Sequence, residues 1–121
     1  MASLKEVIRE NRNEIVEGMA WVVIWKNGRS WNCECFWEES GSYEDGYEFR
    51  SEDVKQMNEI SKIDSKAIAM NGYYMAFGED FTLEELENKI LLLYESRLNQ
   101  LRGDFLGCLV KEIDTAKKVI S

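Results

Sequence analysis

Apolar and polar residues along the chain alternate between a helical and an extended period, and the switches mark out the elements. Leu4, Val7, Ile8 and Ile15 fall on one helical stripe, while Glu6, Arg9 and Glu10 face away from it. Ser3, followed three positions later by Glu6, has the form of a capping box, and Gly18 is a suitable stop. The next run, "AWVVIWKNGRSWNCECFW", is β-branched and aromatic and is interrupted by Asn27-Gly28, the strongest short-range hairpin signal. With those two residues as the loop, Lys26 pairs with Arg29, Ile24 with Trp31 and Val22 with Cys33. Ala20, Val22, Ile24, Trp31, Cys33 and Cys35 then share one apolar face. Trp21, Val23, Trp25, Ser30, Asn32, Glu34 and Phe36 form a mixed face on the other side. A one-residue slip would exchange the two faces.

Ser51 is placed to cap a short helix carrying Val54, Met57 and Ile60. A second hairpin is expected in "KAIAMNGYYMAF", turning on Asn71-Gly72, with Ile68, Met70, Tyr73, Met75 and Phe77 on its bulky face. Thr82 and Glu85 form a further capping box. At 100° per residue, Leu83, Leu86, Ile90, Leu91, Leu93, Tyr94, Leu98 and Leu101 span about 160° of the following helix, with Leu92 pointing the opposite way. Gly103-Asp104 either ends this helix and starts a last one, with Leu106, Leu109, Ile113, Ala116 and Ile120 at helical spacing, or bends one long helix. The "YEFR" run offers a fifth strand.

The order is therefore helix, hairpin, helix, hairpin, helix. It predicts an α+β domain over residues 1–121, an antiparallel sheet of two Asn-Gly hairpins packed by helices on one face. A length of 121 residues suits one modest core, and 45% hydrophobic with 12% aromatic residues is globular composition. No apolar run approaches membrane-spanning length and the N-terminus has no apolar signal core, so a cytoplasmic protein is expected.

Composition removes several chemistries. There is no histidine, hence no histidine base, Ser-His triad or histidine-bearing zinc site. The three cysteines, Cys33, Cys35 and Cys108, follow no disulfide or zinc spacing. Hydroxyl and thiol side chains exist without a base at a recognisable spacing, so a non-enzymatic protein is expected, with no cofactor and no metal.

The net charge of −8 is unevenly distributed: residues 34–53 hold eight carboxylates against Arg50, which is −7, while residues 1–33 sum to +1 and residues 54–121 to −2. That distribution disfavours direct nucleic-acid binding, which needs concentrated Lys and Arg. Within it, "FWEESGSYEDGYEF" sets five acids among five aromatics with no base. An exposed turn explains the glycines and serines. The sharper reading is a surface for a basic protein, built from Trp37, Glu38, Glu39, Tyr43, Glu44, Asp45, Tyr47 and Glu48: carboxylates steer a cationic partner, and aromatics supply contact area. A calcium loop does not fit. Aligning Gly41 or Gly46 with the invariant loop glycine puts Phe36 or Gly41 at the first ligand position, and neither has an oxygen to offer.

The segments "MAWVVIWKNGRSWNCECFWEESGSYEDGYEF" and "NGYYMAFGEDFTLEELENKI" resemble small accessory proteins of phages and mobile elements of gut bacteria. The resemblance carries no functional motif. It implies a setting in which small acidic proteins act as inhibitors of a nuclease or host-defence effector. Two other uses of the chain stay open: a small-molecule or structural module using the aromatic sheet face of Trp21, Trp25, Phe36 and Trp37, and a homodimer through the Leu83–Leu101 helix.

Overall fold

In a computed structural model, residues 1–18, 20–37 and 49–101 are described. They form α1 (Leu4–Glu10), α2 (Arg12–Glu17), β1 (Trp21–Asn27), β2 (Ser30–Phe36), α3 (Ser51–Ile63), β3 (Ile68–Met70), α4 (Gly72–Met75) and α5 (Leu83–Ser96). The class is α+β. The sheet has three strands in the order β2-β1-β3, and both pairings are antiparallel.

The first helix begins as its sequence dictates, with Ser3 Oγ accepting from the Glu6 amide at 3.1 Å. It then breaks at Asn11, whose backbone (φ −112°, ψ 20°) leaves the helical region and whose Nδ2 donates to the Val7 carbonyl at 2.8 Å. A side-chain amide that competes for a helix carbonyl in this way splits one expected helix into α1 and α2. Gly18, at φ 71°, ends α2.

The β1-β2 hairpin forms, with its turn one residue later than expected. Asn27 pairs with Ser30, so Gly28-Arg29 is the loop, and only Gly28 takes positive φ (65°), as a glycine at the first loop position of a type II′ turn does. Ile24 therefore faces Cys33 rather than Trp31, and Val22 faces Cys35. The pairing has moved by two residues along β2, and an even shift leaves every side chain on its predicted face.

The second hairpin does not form. Residues 72–75 are helical, with the Met75 amide donating to the Asn71 carbonyl at 2.9 Å. Gly72 serves a different purpose from the one the Asn-Gly pair suggests. A Cβ built there would overlap the Ile15 carbonyl oxygen and lie 3.2 Å from the Gly18 Cα, so the glycine lets α4 touch the end of α2. β3 pairs instead with β1, Ile24 facing Ile68 and Val22 facing Met70. Without the second hairpin, the helix–hairpin–helix–hairpin–helix order gives way to the order above. Phe49 and Arg50 lie outside any strand, and Arg50 rather than Ser51 occupies the cap position of α3.

The Thr82–Glu85 capping box is present in full, with bonds of 3.1 and 3.2 Å. α5 stops well short of Gly103. Arg97 adopts the left-handed conformation (φ 57°), its amide bonding Tyr94 O, while the Leu98 amide reaches back to Leu93 O at 3.2 Å, the paired bonds of a Schellman end. The chain then turns onto the outer side of β3, where the Ala69 amide donates to Asn99 O (2.9 Å) and the Leu101 amide to Ala67 O. Leu83–Leu101 is thus not one helix. Leu98 is left 66% exposed, and Leu101 is buried.

Helices cover both faces of the sheet, where the sequence reading places them on one. Val22, Ile24, Trp31, Ile68 and Met70 pack with Leu4, Val7, Ile8 and Ile15 of α1 and α2 and with Leu86, Ile90, Leu93 and Tyr94 of α5. On the opposite face Trp21, Val23, Phe36 and Ala69 pack with Met57 and Ile60 of α3 and with Leu101. The mixed face is sufficiently apolar along its β1 positions to need a cover, and α3 supplies one. The expected last helix, 104–120, lies outside the described residues.

Candidate functional site

Of the residues singled out for a basic partner, Trp37 is described; Glu38, Glu39, Tyr43, Glu44, Asp45, Tyr47 and Glu48 lie outside the described residues. Trp37 follows the last residue of β2 and is 57% exposed. The two ends of the acidic segment are anchored in one apolar group. Phe36 is buried among Trp21, Val23 and Met57, and Phe49 packs against that same apolar group. Around these anchors stand Glu34, exposed on β2, and Glu52 and Asp53 in the first turn of α3, where carboxylates suit the positive end of the helix.

The aromatic face has a structural use. Trp21 is 5% and Phe36 3% exposed beneath α3, and Trp25 packs at the margin of the same group. Leu91, Leu92 and Leu98 are the exposed leucines of α5 and its end, while Leu86, Ile90 and Leu93 are spent on the core.

A second polar constellation, which the sequence reading does not pick out, lies at the hairpin end of the sheet. Asp64 follows α3 and accepts from the Lys26 amide (2.8 Å), the Lys66 amide (2.9 Å) and the Tyr94 hydroxyl (2.8 Å). Tyr94 in turn lies edge-on to Trp31, ring centroids 4.8 Å apart. Lys26 Nζ sits 4.9 Å above Trp31, and Lys66 Nζ lies 5.6 Å from Tyr94 and 3.6 Å from Glu95. Burial, together with the bond to the Asp64 carboxylate, pushes the Tyr94 phenol above its ordinary value. The arrangement ties α3, β1 and α5 around the end of the sheet. Arg12, on α2, is engaged elsewhere, donating to the Glu79 and Phe81 carbonyls at 3.0 and 2.6 Å.

Cys33 and Cys35 lie on one side of β2, half-buried at the margin of the α1–α5 core, and both are free thiols. A hydrogen bond between them raises the Cys33 thiol and lowers that of Cys35. Among the described residues no group of three or more Cys, Asp or Glu side chains is placed to hold a metal ion. No helix among them is long and apolar enough to cross a membrane.

These features define a small α+β module, one antiparallel sheet between helices, whose distinctive chemistry is acidic and aromatic. The chain belongs to the family described as large polyvalent-protein-associated domain 15, which it matches over residues 2–104. No curated protein and no solved structure matches it significantly.

Proposed function

We propose that the chain is a non-enzymatic acidic binding module that engages a basic protein through the segment from Trp37 to Glu48. The observation that carries this reading is the anchoring of Phe36 and Phe49 in one apolar group, combined with five carboxylates between them. Glu34, Glu52 and Asp53 flank the segment in sequence and add carboxylates at its two described ends. An exposed tryptophan beside such a patch supplies contact area. Inhibition of a nuclease or host-defence effector inside the cell is the form of binding that the resemblance to phage and mobile-element proteins favours, and the family's link to large polyvalent proteins fits that setting loosely.

The test is capture from a lysate of the encoding cell, with the bound proteins identified. The expected partner has a basic surface, dissociates as salt is raised, and is lost when Glu38, Glu39, Glu44 and Asp45 are reversed to Lys. Recovery that is indifferent to that reversal removes the reading. A second copy of the chain as partner has the exposed Leu91, Leu92 and Leu98 in its favour, and sedimentation of the purified chain separates that case.

A further inference from the structure

The sheet has two outer edges, and they are treated differently. Beyond β3, the backbone of Asn99–Leu101 bonds to Ala67 and Ala69. Beyond β2, the N-terminus covers only the start of the strand, with the Ala2 amide donating to Ser30 Oγ at 3.2 Å and the Trp31 amide to Ala2 O at 3.0 Å. Ser3 then caps α1, which packs across the sheet face, and the chain leaves the edge.

The bonds that are present fix the direction of the remaining backbone groups. In an antiparallel ladder, bonded and non-bonded pairs alternate. Trp31 faces Lys26, yet the Trp31 amide goes outward to Ala2 and the Lys26 amide goes away from β2 to Asp64, so this is a non-bonded pair. Cys33 with Ile24 and Cys35 with Val22 are two and four residues along and are of the same kind. The phase agrees on the far side, where the Ala69 amide turns away from β1 towards Asn99. The amides and carbonyls of Cys33 and Cys35 therefore point off the edge, and they have no backbone partner among the described residues.

Natural edge strands are protected by lysines, prolines, bulges or a covering segment. Between Cys33 and Phe36 none of these appears among the described residues: the strand has no base and no proline, and its pairing with β1 is continuous. The charge beside the bare edge is negative. Glu34 is exposed between the two cysteines, and the Glu14 carboxylate is near enough to raise both thiols.

We propose that an extended, lysine- or arginine-bearing segment of the partner adds to β2 as a fourth strand, bonding the outward amides and carbonyls of Cys33 and Cys35 and setting its cations against Glu34. The proposal rests on the acidic-module reading and specifies the mode of docking. Main-chain bonds give the affinity and the carboxylates select a basic segment.

The probe is a blocked nine-residue peptide alternating Lys and Val, compared with the same peptide N-methylated at alternate residues, which keeps the charge and loses the donors. Binding to the full chain is followed by amide NMR and hydrogen exchange. The plain peptide is expected to bind, to slow exchange at the Cys33 and Cys35 amides, and to outbind the methylated peptide at least tenfold, the scale of one or two lost hydrogen bonds. Cys35→Pro is the matching protein variant. Its missing N–H is one that points off the edge, a position where an edge strand accepts proline, so the fold is kept while affinity for the plain peptide falls about tenfold. If that variant unfolds, the exchange pattern of the wild-type chain decides. No binding, equal binding of the two peptides, or unchanged exchange at Cys33 and Cys35 overturns strand addition. Binding lost on reversing Glu38, Glu39, Glu44 and Asp45 but indifferent to methylation leaves the acidic-module reading standing and removes strand addition alone.

Discussion

Asp64 is the residue on which the two halves of the core meet, and its removal has a calculable cost. Its carboxylate accepts three hydrogen bonds, from the amides of Lys26 and Lys66 and from the Tyr94 hydroxyl, all between 2.8 and 2.9 Å. A net hydrogen bond to a charged group contributes about 1.5–3 kcal/mol when sheltered. These bonds are partly buried, so water can recover some of each, and about 1 kcal/mol apiece is the appropriate figure. Asp64→Ala is therefore expected to cost about 3 kcal/mol, a large part of the roughly 5–15 kcal/mol that stabilises a typical domain. Tyr94→Phe removes one of the three bonds and keeps the ring edge-on to Trp31, so it should cost about 1 kcal/mol. Urea titration of the wild type, both single variants and the double variant gives the coupling directly. It should be about 1 kcal/mol, because the tyrosine hydroxyl has little left to lose once Asp64 is gone. A cost below about 1 kcal/mol for Asp64→Ala, or additive single effects, refutes the idea that this carboxylate joins α3, β1 and α5.

Three further outcomes follow from the same structure. Gly72→Ala should cost at least about 3 kcal/mol in urea, because its Cβ meets the Ile15 carbonyl, which is helix backbone rather than a movable side chain; a near-neutral variant would mean that α4 does not seat on α2. Arg97→Gly should stabilise the chain by about 1 kcal/mol by removing the left-handed penalty at the end of α5, and destabilisation would argue against that helix end. The Tyr94 phenol is raised above its unfolded value of 10.0, so the stability it contributes is complete below that pH and is lost as pH rises toward and through the folded value. The alkaline limb of a stability–pH curve should therefore flatten in Tyr94→Phe, and an unchanged limb removes the tyrosine as its cause.

What the sequence made legible was mostly what neighbouring residues decide among themselves. The Thr82–Glu85 box needs only three intervening positions and a helix start, and it forms as read. The β1 and β2 faces came through a displaced turn because strand alternation depends on parity, and the displacement was even. The misread elements were those decided across the fold. Asn71-Gly72 carries the local signature of a hairpin, but its glycine answers to Ile15 and Gly18, far away in sequence. The apolar stripe of α5 continued on paper to Leu101 because helical periodicity does not register an arginine in the left-handed conformation, and Leu101 is apolar to fill a site beside α3 instead. Of the candidate site, Trp37 and its exposure are what the described residues report. The Asp64 constellation had no sequence pattern, since its members come from three separate elements.

The burial of the aromatic face also bears on the choice between an acidic segment and an aromatic platform. A ligand stacking on Trp21 and Phe36 has first to lift α3, exposing Met57 and Ile60 as well as the two aromatic rings. At about 2 kcal/mol for each of these four side chains, opening costs roughly 8 kcal/mol before any contact with the ligand is made. A face open that rarely lowers apparent affinity by about a millionfold, so a micromolar ligand would need intrinsic picomolar affinity for two rings and a few aliphatic carbons. The β2 edge faces no such cost, because Glu34 and Trp37 are already in solvent and the outward groups of Cys33 and Cys35 have no backbone partner to release among the described residues. Binding energy available at that end of the sheet goes into the complex rather than into unfolding the binder, which is why the search for a partner belongs there.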